Sequence, residues 1–101
     1  MLIVIGEAEA APGRREEMLE AVATMAAATK SDDGCVSYGF YADVTNPDVV
    51  LGVEVWRDQA ALDAHMSHDH TADFIATVPS LVAGEPVMRF YDAAPVQEEA
   101  R

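Results

Sequence analysis

An α+β domain built on one four-stranded antiparallel sheet, with helices on a single face, is the fold class this sequence predicts. Three observations predict it. Four short stretches read as strands and two longer ones carry a helical hydrophobic period. Their order is strand, helix, strand, strand, helix, strand. Gly, Pro, Asn or Asp stands at most of the changes between them. That order is the split βαβ arrangement of ferredoxin-like folds.

The first strand spans residues 2–10, from Leu2 to Ala10, and alternates through Gly6-Glu7-Ala8-Glu9. Ala11-Pro12-Gly13 breaks it with turn chemistry suited to a helix start. From Arg14 to about Lys30, Met18, Leu19, Val22, Met25, Ala26 and Thr29 fall on one helical stripe. Ser31-Asp32-Asp33-Gly34 ends that helix, with Gly34 suited to a left-handed cap. Cys35 to Asp43 reads as the second strand, with Val36, Tyr38, Phe40 and Ala42 on one face. After the turn Thr45-Asn46-Pro47-Asp48, Val49 to Trp56 is β-branched and nearly continuous, as a central buried strand requires.

Asp58 is placed to cap a helix running through Leu62 to Met66. A second helical segment puts Phe74, Ile75, Val78, Leu81 and Val82 on one face, with a break near Pro79. Ala83-Gly84-Glu85-Pro86 leads to a last strand, Val87 to Tyr91. Residues 1–92 thus form one domain, and 93–101 a polar tail expected to be mobile. The strands are too apolar to leave the sheet face opposite the helices in water. A second copy of the chain would cover it, so a homodimer is expected.

Bulk properties narrow the function classes. A formal net charge of -12 with six Lys and Arg excludes nucleic acid and anionic membrane as natural partners, because a phosphate surface would be repelled. The apolar Met1-Leu2-Ile3-Val4-Ile5 is short and has no basic residue before it, so it reads as a strand rather than a signal peptide. No run approaches the roughly 18 apolar residues of a membrane span. The single cysteine, Cys35, fits a reducing compartment, and a cytoplasmic location is expected. With no base or cation beside it in sequence, Cys35 reads as a small buried hydrophobe.

The stretch from Glu54-Val55-Trp56 to His70 carries the chemistry. Glu54 and Trp56, two apart on a strand, leave the same face. His65 follows about two helical turns into the next element, so an acid, an indole and imidazoles meet at one strand-to-helix junction. Spacing alone would let His65, His68 and Asp69 share a helical face as metal ligands. His70, however, falls about 140° from His65 on a continuous helix, and no cysteine lies nearby. No metal is assigned.

The motifs Ala11-Pro12-Gly13-Arg14, Gly34-Cys35-Val36-Ser37-Tyr38, Glu54-Val55-Trp56 and Ala61-Leu62-Asp63-Ala64-His65, with the later His70, resemble the antibiotic biosynthesis monooxygenase family in order and spacing. The resemblance runs from Leu2 to Tyr91, and bacterial quinol monooxygenases are the most alike in pattern. It implies a dimeric α+β barrel that oxygenates an aromatic substrate with molecular oxygen and no metal or flavin cofactor. Two positions depart from the anthrone-oxidising members. Gly52 stands where they place an asparagine, and Leu62 where they place a tyrosine. The first strand also lacks the asparagine of haem-degrading members, which argues against that chemistry.

Cofactor-free oxygenation needs a substrate hydroxyl deprotonated in a dry, oriented site, a step suited to an imidazole. His65 is therefore the leading candidate for base or orienting group, with His70 a second catalytic candidate. Trp56 is read either as a catalytic wall stacked on the substrate ring or as a core anchor. Tyr38, Phe40, Glu54 and Phe74 are the candidate substrate-binding residues. Core packing stands as the alternative for the two strand aromatics, and an ion pair with Arg89 is the favoured partner for Glu54. His68 is expected to face solvent. Two other functions stay open: a dimeric binding module for small aromatics, and an isomerase of a small oxo compound.

Overall fold

The computed structural model describes residues 1–97 and 99. The Val49–Trp56 segment, rich in β-branched side chains, takes an interior position in the sheet as β3 (Val49–Trp56). It lies between β2 (Cys35–Ala42) and β1 (Leu2–Ala10). β4 (Val82–Asp92) pairs with the other side of β1, giving an antiparallel sheet in the order β2-β3-β1-β4. Helices α1 (Arg15–Thr29), α2 (Gln59–Met66) and α3 (Asp69–Thr77) follow the expected segments, and a 3₁₀ turn at Val78–Ser80 contains Pro79. This is the ferredoxin-like α+β fold.

Register decides which residues face the helices. Val4 pairs with Glu54 and with Phe90, and Tyr38 pairs with Glu54, so these four share one row and one face. On that face Val4, Tyr38 and Trp56 pack against Met25 of α1 and against Ala61 and Leu62 of α2. A second cluster joins Ala10 and Val50 to Met18 of α1 and Leu81. The opposite face carries Ile3, Ile5, Leu51, Val53 and Val55, with Tyr41, Val87 and Tyr91 exposed beside them.

Three local expectations are corrected. Val36 does not share the Tyr38 face, because a bulge between Cys35 and Ser37 leaves Val36 exposed and puts Cys35 opposite Trp56. The last strand starts at Val82 rather than Val87. Gly84 (φ +74°) and a register shift between Glu7 and Glu9 let the chain pair with β1 across the stretch read as a loop. Val82 thus belongs to β4, and Ile75 of the expected apolar face is exposed.

Asp58 caps α2 as expected, accepting from the Ala61 N–H at 2.9 Å. The N-terminal amine donates to the Ala93 carbonyl at 2.7 Å, tying the start of the chain to the end of β4. Of the tail expected over 93–101, residues 98, 100 and 101 lie outside the described residues.

Candidate active site

The site starts from a helix break. Ser67 and His68 separate α2 from α3, with the His68 backbone extended (φ -74°, ψ 149°). The 140° separation of His65 and His70 on a continuous helix is therefore lost, and both rings turn to the same point. That point is Asp32, in the turn after α1. Its Oδ2 lies 2.7 Å from His65 Nδ1 and 3.0 Å from His70 Nε2. His68 Nε2 stands 3.8 Å from Asp32 Oδ1, and its ring stacks on His70 at 5.1 Å. His68 is exposed as expected, yet it is also part of this cluster. The three-ligand set suggested by spacing, with Asp69, does not form; the donors brought within 4.8 Å are those of Asp32, His65 and His70.

Turn geometry seats Asp32. Gly34 adopts φ +78°, and a Cβ there would stand 2.4 Å from the Ala61 side chain on α2, so the turn packs directly on that helix. Asp32 was not a candidate from sequence. Its tetrapeptide reads as a helix stop, and the partner histidines are 33 and 38 positions away.

His65 is 3% exposed and lies over Trp56, ring centroids 4.6 Å apart, with Tyr38 at 5.7 Å. Trp56 is 0% exposed and donates its Nε1–H to Glu54 Oε1 at 2.9 Å. The expected Glu54–Arg89 ion pair is not made. Arg89 pairs with Ile5, one residue out of phase with the Val4–Glu54 row, so it projects from the other face. Burial raises the Glu54 carboxyl above its ordinary value, against the opposing Trp56 hydrogen bond.

Burial also lowers His65, and the bond to Asp32 only partly offsets this. For Asp32, burial alone would raise the carboxyl, but the bonds from His65 and His70 outweigh it and hold it low. A neutral imidazole donating Nδ1–H to an ionised carboxylate satisfies both directions. Burial raises the Tyr38 hydroxyl strongly and, with Asp32 and Glu54 nearby, the Cys35 thiol too, so both stay protonated at neutral pH. This places Cys35 outside nucleophilic chemistry.

Tyr38, Glu54 and His65 border a cleft of about 820 Å³ between sheet and helices and stand at one end of it. Phe40 and Phe74, with ring centroids 5.8 Å apart, form an apolar wall farther along. Gly52 explains part of that wall, since a Cβ there would meet the Phe40 ring at 2.9 Å. The absent side chain lets the ring lie across β3, where the resemblance places an asparagine in anthrone-oxidising relatives. Met88 and Phe90 on edge strand β4 sit half exposed at the rim. All the sequence candidates thus lie around one cleft except Trp56, which backs His65 from beneath, and His70, which reaches the site through Asp32. Among the described residues, no Lys or Arg lines the cleft.

A ferredoxin-like α+β fold with an apolar cleft and a buried histidine defines a class, and comparison with known proteins supplies the family. The family model for antibiotic biosynthesis monooxygenases matches residues 1–77. The chain belongs to that family. It is 33% identical over 96 residues to the uncharacterised protein sll1783 of Synechocystis, covering 95% of this chain and 65% of that protein. It is 31% identical over 71 residues to Rv0793 of Mycobacterium tuberculosis, provisionally named a monooxygenase, covering 70% of this chain and 69% of that one. The solved structure of Rv0793 superposes with a TM-score of 0.86 at 25% identity over 98% of each chain. A Deinococcus radiodurans structure, provisionally described as an antibiotic biosynthesis monooxygenase, shares the fold with a TM-score of 0.89, 23% identity and 99% coverage of both chains. The family and the relatives named as monooxygenases support a monooxygenase-like role.

Proposed function

We propose that this chain is a cofactor-independent monooxygenase acting on a neutral quinol-like or polycyclic phenolic substrate, as a cytoplasmic homodimer. The observation that carries the reading is a buried imidazole, whose charging burial disfavours, at one end of a largely apolar cleft with Phe40 and Phe74 in its wall. His65 takes the proton of a substrate hydroxyl, and the aromatic walls hold the resulting anion away from water. The anion passes one electron to oxygen, and the radical pair combines at a ring carbon bearing hydrogen. The peroxide O–O bond then breaks as that carbon loses its hydrogen and becomes a carbonyl, and the departing oxygen leaves as water with that hydrogen and the proton held by His65.

Tyr38 and Glu54 lie near enough to orient the hydroxyl, with Glu54 fixed by Trp56. The cleft carries Glu7, Glu54, Asp63 and Glu85 and, among the described residues, no Lys or Arg, which disfavours anionic substrates. A homodimer is supported by the uncovered apolar sheet face around Val53 and Val55. A second reading, a dimeric binding module for small aromatics, is favoured by Phe40 filling the space over Gly52 where relatives carry a polar group.

Oxygen uptake by chelator-treated protein with a panel of quinols and anthrones, against heat-denatured protein, tests the proposal. Uptake above the control supports oxygenation. No uptake, with saturable calorimetric binding of the same aromatics, replaces it with the binding module.

A further inference from the structure

The two contacts on one oxygen of Asp32 carry more than packing. An ionised carboxylate has no proton to give, so both ring nitrogens facing Oδ2 must be donors. Neutral His65 then carries its proton on Nδ1 and its lone pair on Nε2. Thr71 Oγ1 does not supply Nε2 with a proton, because it stands 3.5 Å away and donates instead to the His65 carbonyl at 2.7 Å. The Asp32 side chain is 6% exposed, although it lies in an acidic surface turn, and the His70 side chain is 28% exposed.

A shared metal ion explains the cluster less well. Ligand atoms about 2.0–2.2 Å from one ion stand about 3 Å or more apart. The 2.7 Å between His65 Nδ1 and Asp32 Oδ2 is a charge-assisted hydrogen bond.

We infer that Asp32 is the positioning residue of a carboxylate–histidine pair: it holds His65 as the Nδ1–H tautomer with Nε2 free as the base, while His70 locks the carboxylate as a second donor. The inference rests on the reading of His65 as the base. When Nε2 receives the substrate proton, the imidazolium keeps its Nδ1–H bond to the carboxylate, and no proton moves to Asp32. The charge forms beside an anion already in place, so little rearrangement accompanies it. The other titratable groups around the ring are His68 and His70 at the start of α3, Tyr38 on β2, and Glu54 on β3 through Trp56. Among the described residues, Asp32 is the carboxylate bonded to His65.

Nitrogen NMR of histidine-labelled protein, which needs no substrate, tests this directly. The His65 signal, assigned by its loss in His65→Gln, is expected to show a protonated Nδ1, a bare Nε2 and a low-field Nδ1 proton. In Asp32→Asn that proton moves upfield. In Asp32→Leu, which offers no acceptor, His65 shifts to the Nε2–H tautomer. With an oxidised substrate, Asp32→Asn lowers kcat at least tenfold with KM within about threefold. The acid limb of its kcat/KM profile moves to lower pH, because the imidazolium has lost its anion.

His70→Gln, which keeps a donor, retains more turnover than His70→Leu; equal abolition by both would overturn the locking role. An Nε2–H tautomer in the wild type, or an unchanged Nδ1 proton in Asp32→Asn, would overturn the pairing. So would one equivalent of zinc bound by the wild type and lost in Asp32→Asn. The Nδ1–H tautomer in a protein that oxidises nothing would support the pairing and reject the oxygenase reading instead.

Discussion

Gly34→Ala is expected to be the most disruptive small change in this chain, and the structure allows its magnitude to be worked. Gly34 sits at φ +78°, where a side chain costs about 1–2 kcal/mol through contact of Cβ with the backbone. The added methyl would also stand 2.4 Å from the Ala61 Cβ and 3.3 Å from the Arg57 guanidinium. Ala61 is buried on a capped helix and cannot swing aside, so an overpacking cost of about 1–3 kcal/mol applies as well. Together these give about 2–5 kcal/mol, a large share of the about 5–15 kcal/mol that holds a domain of this size.

Gly13 supplies the control. Its φ is +77°, but a Cβ there meets nothing within 4 Å, so Gly13→Ala carries the backbone cost alone. The reduced freedom of the unfolded chain is common to both variants and cancels in their difference. Urea unfolding of the two proteins, compared at equal slope, should leave Gly34→Ala less stable than Gly13→Ala by about 1–3 kcal/mol. Equal midpoints would refute the close packing of the Asp32 turn on α2. The same packing sets the Asp32 turn against α2, which carries His65, so Gly34→Ala should also disturb their 2.7 Å bond.

Three further outcomes follow from the site. His65→Ala should lower turnover by about 10²–10⁴ while ligand affinity by calorimetry stays within a few-fold; unchanged turnover would remove His65 from the mechanism. Burial raises the Glu54 carboxyl, so the fold favours its protonated form, a contribution present below the unfolded-state value and lost as pH rises through the folded-state one. Glu54→Gln keeps an acceptor for Trp56 Nε1 without the buried charge, and should raise the urea midpoint at pH 8 by a margin that closes toward pH 4. Val53→Lys, in the middle of the uncovered sheet face, should turn a dimer into a monomer by light scattering, since an interface would bury an unpaired ammonium. A persistent dimer would place the interface elsewhere.

Much of this protein is legible one element at a time. Hydrophobic period separates strands from helices because each side chain's face depends only on near neighbours in sequence. Asp58 marks its helix start for the same reason, and Glu54 and Trp56 share a face by strand geometry alone. The resemblance of ordered motifs implies the family and includes Tyr38 and His65, while Phe40 and Phe74, also at the cleft, follow from strand and helix faces.

Long-range register and packing decided the rest. Arg89 is excluded from Glu54 by a one-residue phase difference across β1, which neither segment reveals alone. His70 meets His65 only because the chain leaves the helix at His68, and Phe40 covers Gly52 only because β2 and β3 pair in this register. Asp32, the residue that organises the histidines, reads in sequence as the acidic end of a helix. Its role comes from a turn packed on a helix about 30 residues away, and such a contact is a property of the folded chain rather than of any segment.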